Sequence, residues 1–114
     1  MTEPINSEIA QKTARMIAWL WERSLPQVEE RLRLLESAAA ANTLGEMAEE
    51  QRTAAQEIAH KLAGSLGMFG FLLGSKIASQ LELQLESGSP DPELLVELTG
   101  QLRGSLDRKT GIRE

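Results

Sequence analysis

Apolar side chains recur at intervals of three and four along most of this chain, the spacing of an amphipathic helix. Ile9, Thr13, Met16, Ile17 and Leu20 form a first stripe, behind a Ser7 suited to capping. Pro26 then interrupts the ladder, because a proline cannot donate to the carbonyl four residues earlier. Val28, Leu32, Leu35 and Ala39 carry the pattern on to about Asn42-Thr43, either as the far half of one kinked helix or as a second helix. The next helix is expected from about Glu46 to Leu66, with Met47, Ala55, Ile58, Leu62 and Leu66 facing inward. Gly67-Met68-Phe69-Gly70 reads as a turn or a fraying end, and Gly74 as an irregularity. Leu73, Ile77, Leu81 and Leu85 mark a further helix, and Ser87-Gly88-Ser89-Pro90 a linker. Asp91 caps a last helix with Pro92 at its first position, where the missing N–H costs nothing, and Leu95, Leu98, Leu102 and Leu106 form its inner face.

Amphipathic helices joined by short loops can hide their stripes only against each other. The expected fold is therefore all-α: an antiparallel up-down four-helix bundle over residues 25–108, with an additional N-terminal helical segment (1–24) packing on it and a flexible tail at 109–114. Leu, Ala, Glu, Gln and Arg dominate while β-branched and aromatic residues are sparse, which favours helices on propensity as well.

The chain has 114 residues, enough for one domain with a modest core. Twelve basic against seventeen acidic residues leave a net charge of −5, which argues against nucleic acid or an anionic membrane surface as partner. Cysteine is absent, so disulfides, thiol chemistry and thiolate zinc sites are excluded. Met1-Thr2-Glu3-Pro4 lacks the basic and apolar regions of a secretory signal, and no apolar run approaches the roughly 18 residues of a membrane span. A cytoplasmic protein is expected.

The chemistry centres on His60, the only histidine, within Ala59-His60-Lys61-Leu62-Ala63-Gly64-Ser65-Leu66-Gly67-Met68-Phe69-Gly70. On a helical wheel, Ile58, Leu62 and Leu66 cluster within about 60° of Ala55, whereas His60 falls at about 140°, Gly64 at about 180° and Gly67 at about 120°. The imidazole thus stands opposite the core stripe. An exposed helical glycine costs about 1 kcal/mol relative to alanine, so two of them beside the histidine suggest space kept open for another molecule. Much of an exposed imidazole is neutral and nucleophilic at neutral pH. No Ser-His-Asp or Cys-His set surrounds it, so activating groups and any metal must come from a partner. Phosphoryl transfer fits that division, since it needs mostly positioning and charge neutralisation.

The run His60-Lys61-Leu62-Ala63-Gly64-Ser65, with a further glycine at Gly70, resembles the signature of histidine-containing phosphotransfer (HPt) domains. The resemblance is close from Arg52 to Gly70 and extends through the helical pattern of Leu25 to Arg108. It implies a four-helix bundle that takes a phosphoryl group from a receiver-domain phospho-aspartate and passes it to another receiver. By position, His60 would be the phosphoacceptor, Gly64 would allow close approach of the receiver, and Ser65 would sit in the supporting turn. Lys61 and Gly67 complete the expected set of docking and supporting residues. Many family members have lysine three residues after the histidine; here Ala63 stands there, with Lys61 or Lys76 as substitutes. The implied partners are response-regulator receiver domains and a hybrid sensor histidine kinase. No cofactor or metal is expected on this chain, Mg²⁺ being carried by the receiver. A monomer is expected, and no self-sufficient enzyme, since there is no ATP site or Gly-rich phosphate loop.

Two other readings compete. A helical adaptor would keep the docking surface without cycling phosphate. Glu57-x-x-His60 is also half of a di-iron motif, which requires inward-facing ligands and a second copy. Trp19 and Trp21 lie about 200° apart and cannot both face one core; partial packing of both is the plainer expectation, one of them otherwise being an exposed contact. Glu46, Glu49 and Glu50 read as a solvated first turn favoured by the helix dipole.

Overall fold

A computed structural model describes residues 3–111, with side chains described for 7–107. Four helices follow one another: α1 (Glu3–Thr43), α2 (Glu49–Met68), α3 (Leu72–Glu86) and α4 (Pro92–Gly111). Each packs on its neighbour in sequence and α1 closes on α4, while no Cα atoms of the diagonal pairs α1–α3 and α2–α4 come within 8 Å among the described residues. This is an all-α up-down bundle.

Two of the turns are built alike. Gly45 and Gly70 have φ of +73° and +87°, the left-handed region that favours glycine. Around Gly45, the Glu46 N–H reaches back to the Ala41 carbonyl (2.8 Å) and the Gly45 N–H to Asn42 (3.0 Å). Around Gly70, the Phe71 N–H reaches Leu66 (2.8 Å) and the Gly70 N–H reaches Gly67 (3.1 Å). Both are Schellman closures that satisfy the last carbonyls of a helix and reverse the chain. Asp91 caps α4 as expected, its Oδ1 accepting from the Glu93 and Leu94 N–H groups at 3.0 and 3.3 Å.

Leu32, Leu35, Leu62, Leu66, Leu81, Leu85, Leu95 and Leu102 are the largest fully buried side chains and come from all four helices. Arg52 of α2 donates to the Leu85 and Ser87 carbonyls, closing the C-terminal end of α3. Arg103 of α4 clamps α1 through Glu36 (Nε–Oε2, 2.6 Å) and Glu29 (Nη2–Oε2, 2.9 Å). Those bonds hold the Glu29 carboxyl below the usual carboxylate range and raise the Arg103 guanidinium.

The N-terminal third corrects the sequence reading. Pro26 lies inside one 41-residue helix, its ring on the exposed side, where the unpaired Glu22 carbonyl can meet water. The helix begins at Glu3, so Ser7 lies inside it rather than capping it. Residues 7–20 are exposed throughout and do not pack on the bundle as expected for segment 1–24. The reason is length: α2, with 20 residues, spans about 30 Å, whereas α1 spans about 60 Å and overruns it. The molecule accordingly measures 62 × 26 × 20 Å. Contact with the bundle begins at Trp21, buried against Phe71 and Phe69 with ring centroids 4.3 and 5.3 Å away. Trp19 is the exposed member of the pair, with the Arg23 guanidinium over its ring at 4.8 Å. Within the expected tail at 109–114, residues 109–111 continue α4 and 112–114 lie outside the described residues.

Candidate functional site

The α2–α3 hairpin carries the site. Ala55, Ala59, Leu62 and Leu66 anchor the inner face of α2, which leaves His60 on the outer one with its side chain 73% exposed. Across the hairpin, Glu82 of α3 meets it: His60 Nδ1 lies 3.0 Å from Glu82 Oε2. A carboxylate can only accept, so Nδ1 donates to it, and in the neutral ring the lone pair then belongs to Nε2. Thr53, Gln56, Glu57 and Lys61 join His60 and Glu82 around an open depression of about 470 Å³.

One turn along, Gly64 is exposed, and a Cβ built there would meet no atom within 4 Å. Nothing in the fold requires a glycine at that point. Gly67 stands in a different place from Gly64. It is half-buried, and a Cβ there would come within 3.3 Å of Ser75 Oγ, which is itself committed to the Ala63 carbonyl at 2.7 Å. Its small size lets α3 approach α2. Gly74 does the same deeper in, where a Cβ would lie 3.2 Å from Leu66 Cδ1 and 3.4 Å from Ser105 Oγ. Ser65 is half-buried, and its carbonyl accepts from the Phe69 N–H (3.1 Å) in the turn that supports the site.

Of the two substitutes for the absent lysine, Lys61 lines the His60 depression. Lys76 lines a different groove, between α3 and α4, with Leu73, Ile77, Gln80, Gly100 and Gly104. Glu57 shares the outer depression with His60 and does not point into the bundle, so the inward geometry of a di-iron site is missing. Glu82 went unnoticed in the sequence. Its signal was the hairpin's symmetry: Gly67 and Ser75 each stand four residues from Phe71, and His60 and Glu82 each stand eleven.

A family model for the Hpt domain matches residues 20–108. The chain belongs to the Hpt domain family. Hpt domains are carriers in phosphorelay histidine phosphotransfer, working with receiver and kinase partners of two-component systems. The chain is also 35% identical over 81 residues to Protein RcaC of Microchaete diplosiphon, an alignment covering 71% of this chain and 12% of that relative. It therefore spans about an eighth of the relative's length. No solved structure matches. None of the described helices of this Hpt domain is long and apolar enough to cross a membrane.

Proposed function

We propose that this Hpt domain is a phosphorelay intermediate in which His60 Nε2 takes the phosphoryl group from a receiver's phospho-aspartate and hands it to a second receiver. One observation carries the reading: His60 stands exposed opposite the leucine core, its Nδ1 engaged by Glu82 at 3.0 Å, beside a glycine whose side-chain space is empty. In the accepting step the Nε2 lone pair attacks phosphorus, an N–P bond forms and the bond from phosphorus to the aspartyl oxygen breaks. The electron pair leaves with the donor's carboxylate, and the Nδ1 proton stays in place against Glu82. The second step is the same reaction in reverse, on another aspartate. Charge on the transferring group is neutralised by Mg²⁺ on the receiver, which this chain need not bind. A relay between receivers and a hybrid kinase operates in the cytoplasm.

The test is labelling by phosphoramidate, a donor that needs no protein partner, on the wild type and His60→Gln. An acid-labile mass increase confined to the wild type, draining to at least one receiver once Mg²⁺ and a receiver panel are added, supports the relay. Label that stays on His60 with every receiver supports a docking adaptor. Absence of label on the wild type removes His60 as the acceptor.

A further inference from the structure

The part of α1 that overruns the bundle carries an apolar stripe that nothing among the described residues covers. Ile9, Met16, Ile17 and Leu20 are 41–62% exposed, with Trp19, 54% exposed, on the edge of the stripe; a row of exposed apolar side chains of this kind marks an interaction surface. Residues 7–19 also lie outside the family match, which begins at residue 20, so this surface is an addition to the Hpt bundle.

Its centre points away from the centre of the core face, although the two overlap at one edge. With Ile9 set at 0° on a wheel of about 100° per residue, Met16, Leu20 and Thr13 fall at about −20°, 20° and 40°. The buried Trp21, Val28, Leu32, Leu35 and Ala39 fall between about 80° and 140°, with the small buried Ala38 at about 20° on the edge of that face. The outer stripe is thus turned roughly a quarter circle from the face that meets α2 and α4. Its spacing of four, three and four residues is that of a coiled-coil seam, which is complementary to another seam of the same kind.

The charges on its edge select the orientation. Glu8, Lys12, Trp19 and Arg23 line one side of the stripe, between about −100° and −40°. Place a second copy antiparallel with Thr13 facing Met16 and Ile9 facing Leu20. Glu8 then comes beside the Arg23 guanidinium of the second copy, which lies over its own Trp19 ring at 4.8 Å, and by symmetry the pairing occurs twice. In a parallel pair Arg23 would meet Arg23 next to the seam, like charge on like charge. An antiparallel pair also sends the two bundles to opposite ends, with both His60 faces open.

We propose that residues 8–23 of α1 pair antiparallel with the same segment of a second copy, making the Hpt domain a dimer in place of the expected monomer. Because the chain has no cysteine, single cysteines report the register without interference. Ile9→Cys protein mixed with Leu20→Cys protein should oxidise to a cross-linked pair. Neither should cross-link alone, since each would lie about 16 Å from its own counterpart, beyond disulfide reach. Sedimentation of the unmodified chain should show a concentration-dependent shift to twice the 12.5 kDa chain mass, abolished in Met16→Lys and Leu20→Lys. Both positions are exposed, so helicity and Trp21 emission should be unchanged in those variants. A monomer at the highest soluble concentration would overturn the proposal, as would dimers that survive both lysine substitutions. Cross-linking of Ile9→Cys with itself would overturn the antiparallel arrangement.

Discussion

Replacing Gly64 by alanine should make this Hpt domain more stable and a poorer relay partner at the same time. Gly64 sits inside α2, is exposed, and has no atom within 4 Å of where a Cβ would stand. Nothing opposes the gain in helix propensity, about 0.5–1 kcal/mol. For a domain of this size that raises the melting temperature by roughly 2–4 °C. The same substitution at Gly67 brings Cβ to 3.3 Å from Ser75 Oγ, which can retreat only by loosening its 2.7 Å bond to the Ala63 carbonyl. A neutral hydrogen bond contributes about 1 kcal/mol, so the two effects roughly cancel. At Gly74 the new Cβ meets Leu66, Ser105 and Leu106 at 3.2–3.5 Å, and overpacking of about 1–3 kcal/mol outweighs the propensity gain. Thermal melts followed by circular dichroism should therefore rank Gly64→Ala above wild type, Gly67→Ala near it and Gly74→Ala below it. Transfer from a receiver should slow in Gly64→Ala and further in Gly64→Gln, while labelling by phosphoramidate stays at the wild-type rate. A destabilised Gly64→Ala would refute the packing argument. Undiminished receiver transfer in Gly64→Gln would refute the docking argument.

Three other substitutions probe what holds the bundle around the site. Arg103→Ala should cost about 1 kcal/mol near neutral pH, discounted because Glu29 is half exposed. Arg103 depresses the Glu29 carboxyl, so its contribution is complete above the unfolded carboxylate range, near 4.3, and fades as pH falls through the lower folded value. Denaturant melts of both proteins should therefore converge on acidification; a gap that widens would contradict the sign. Arg52→Lys should destabilise in the same assay, because a single ammonium cannot serve Glu49 and the Leu85 and Ser87 carbonyls together. Asp91→Ala should cost about 1 kcal/mol through loss of the α4 cap, with Asp91→Ser restoring most of it.

What could be read from the sequence follows the range of each signal. The stripe of α4 and the linker before it are local patterns, and Leu95, Leu98, Leu102 and Leu106 are all buried as the spacing requires. The exposure of His60 and Gly64 follows from helix geometry alone. The first stripe has the same helical spacing, yet it is bare, because spacing encodes a face and not the length of the neighbours that might cover it. Continuity through Pro26 depends on its exposed position, a tertiary fact. Gly67 and Gly64 look alike in sequence and differ only in what stands opposite: Ser75 for one, solvent for the other. Glu82 becomes a partner of His60 only when the two helices are folded back about Phe71.

The proposed phosphohistidine would be poorly neutralised by its own chain, and that can be altered by design. A phosphoryl group carries nearly two negative charges at neutral pH, and the His60 depression already holds Glu57 and Glu82 against Lys61. Ala63 stands where a lysine would reach the group, and Lys76 belongs to the α3–α4 groove. Ala63 is half-buried one turn from His60, so a lysine there can lay its stem on the helix and extend its ammonium toward the imidazole. At about 6 Å in water each unit of charge is worth about 0.7 kcal/mol, hence roughly 1.4 kcal/mol for the group, or tenfold in equilibrium. Screening at physiological salt reduces this to several-fold. Ala63→Lys should accordingly shift the phosphoryl equilibrium with a receiver several-fold toward His60, and more at low salt. An equilibrium unchanged at low salt would mean that the group is held away from this face of α2. The acidic surroundings would then have no part in driving the phosphoryl group onward.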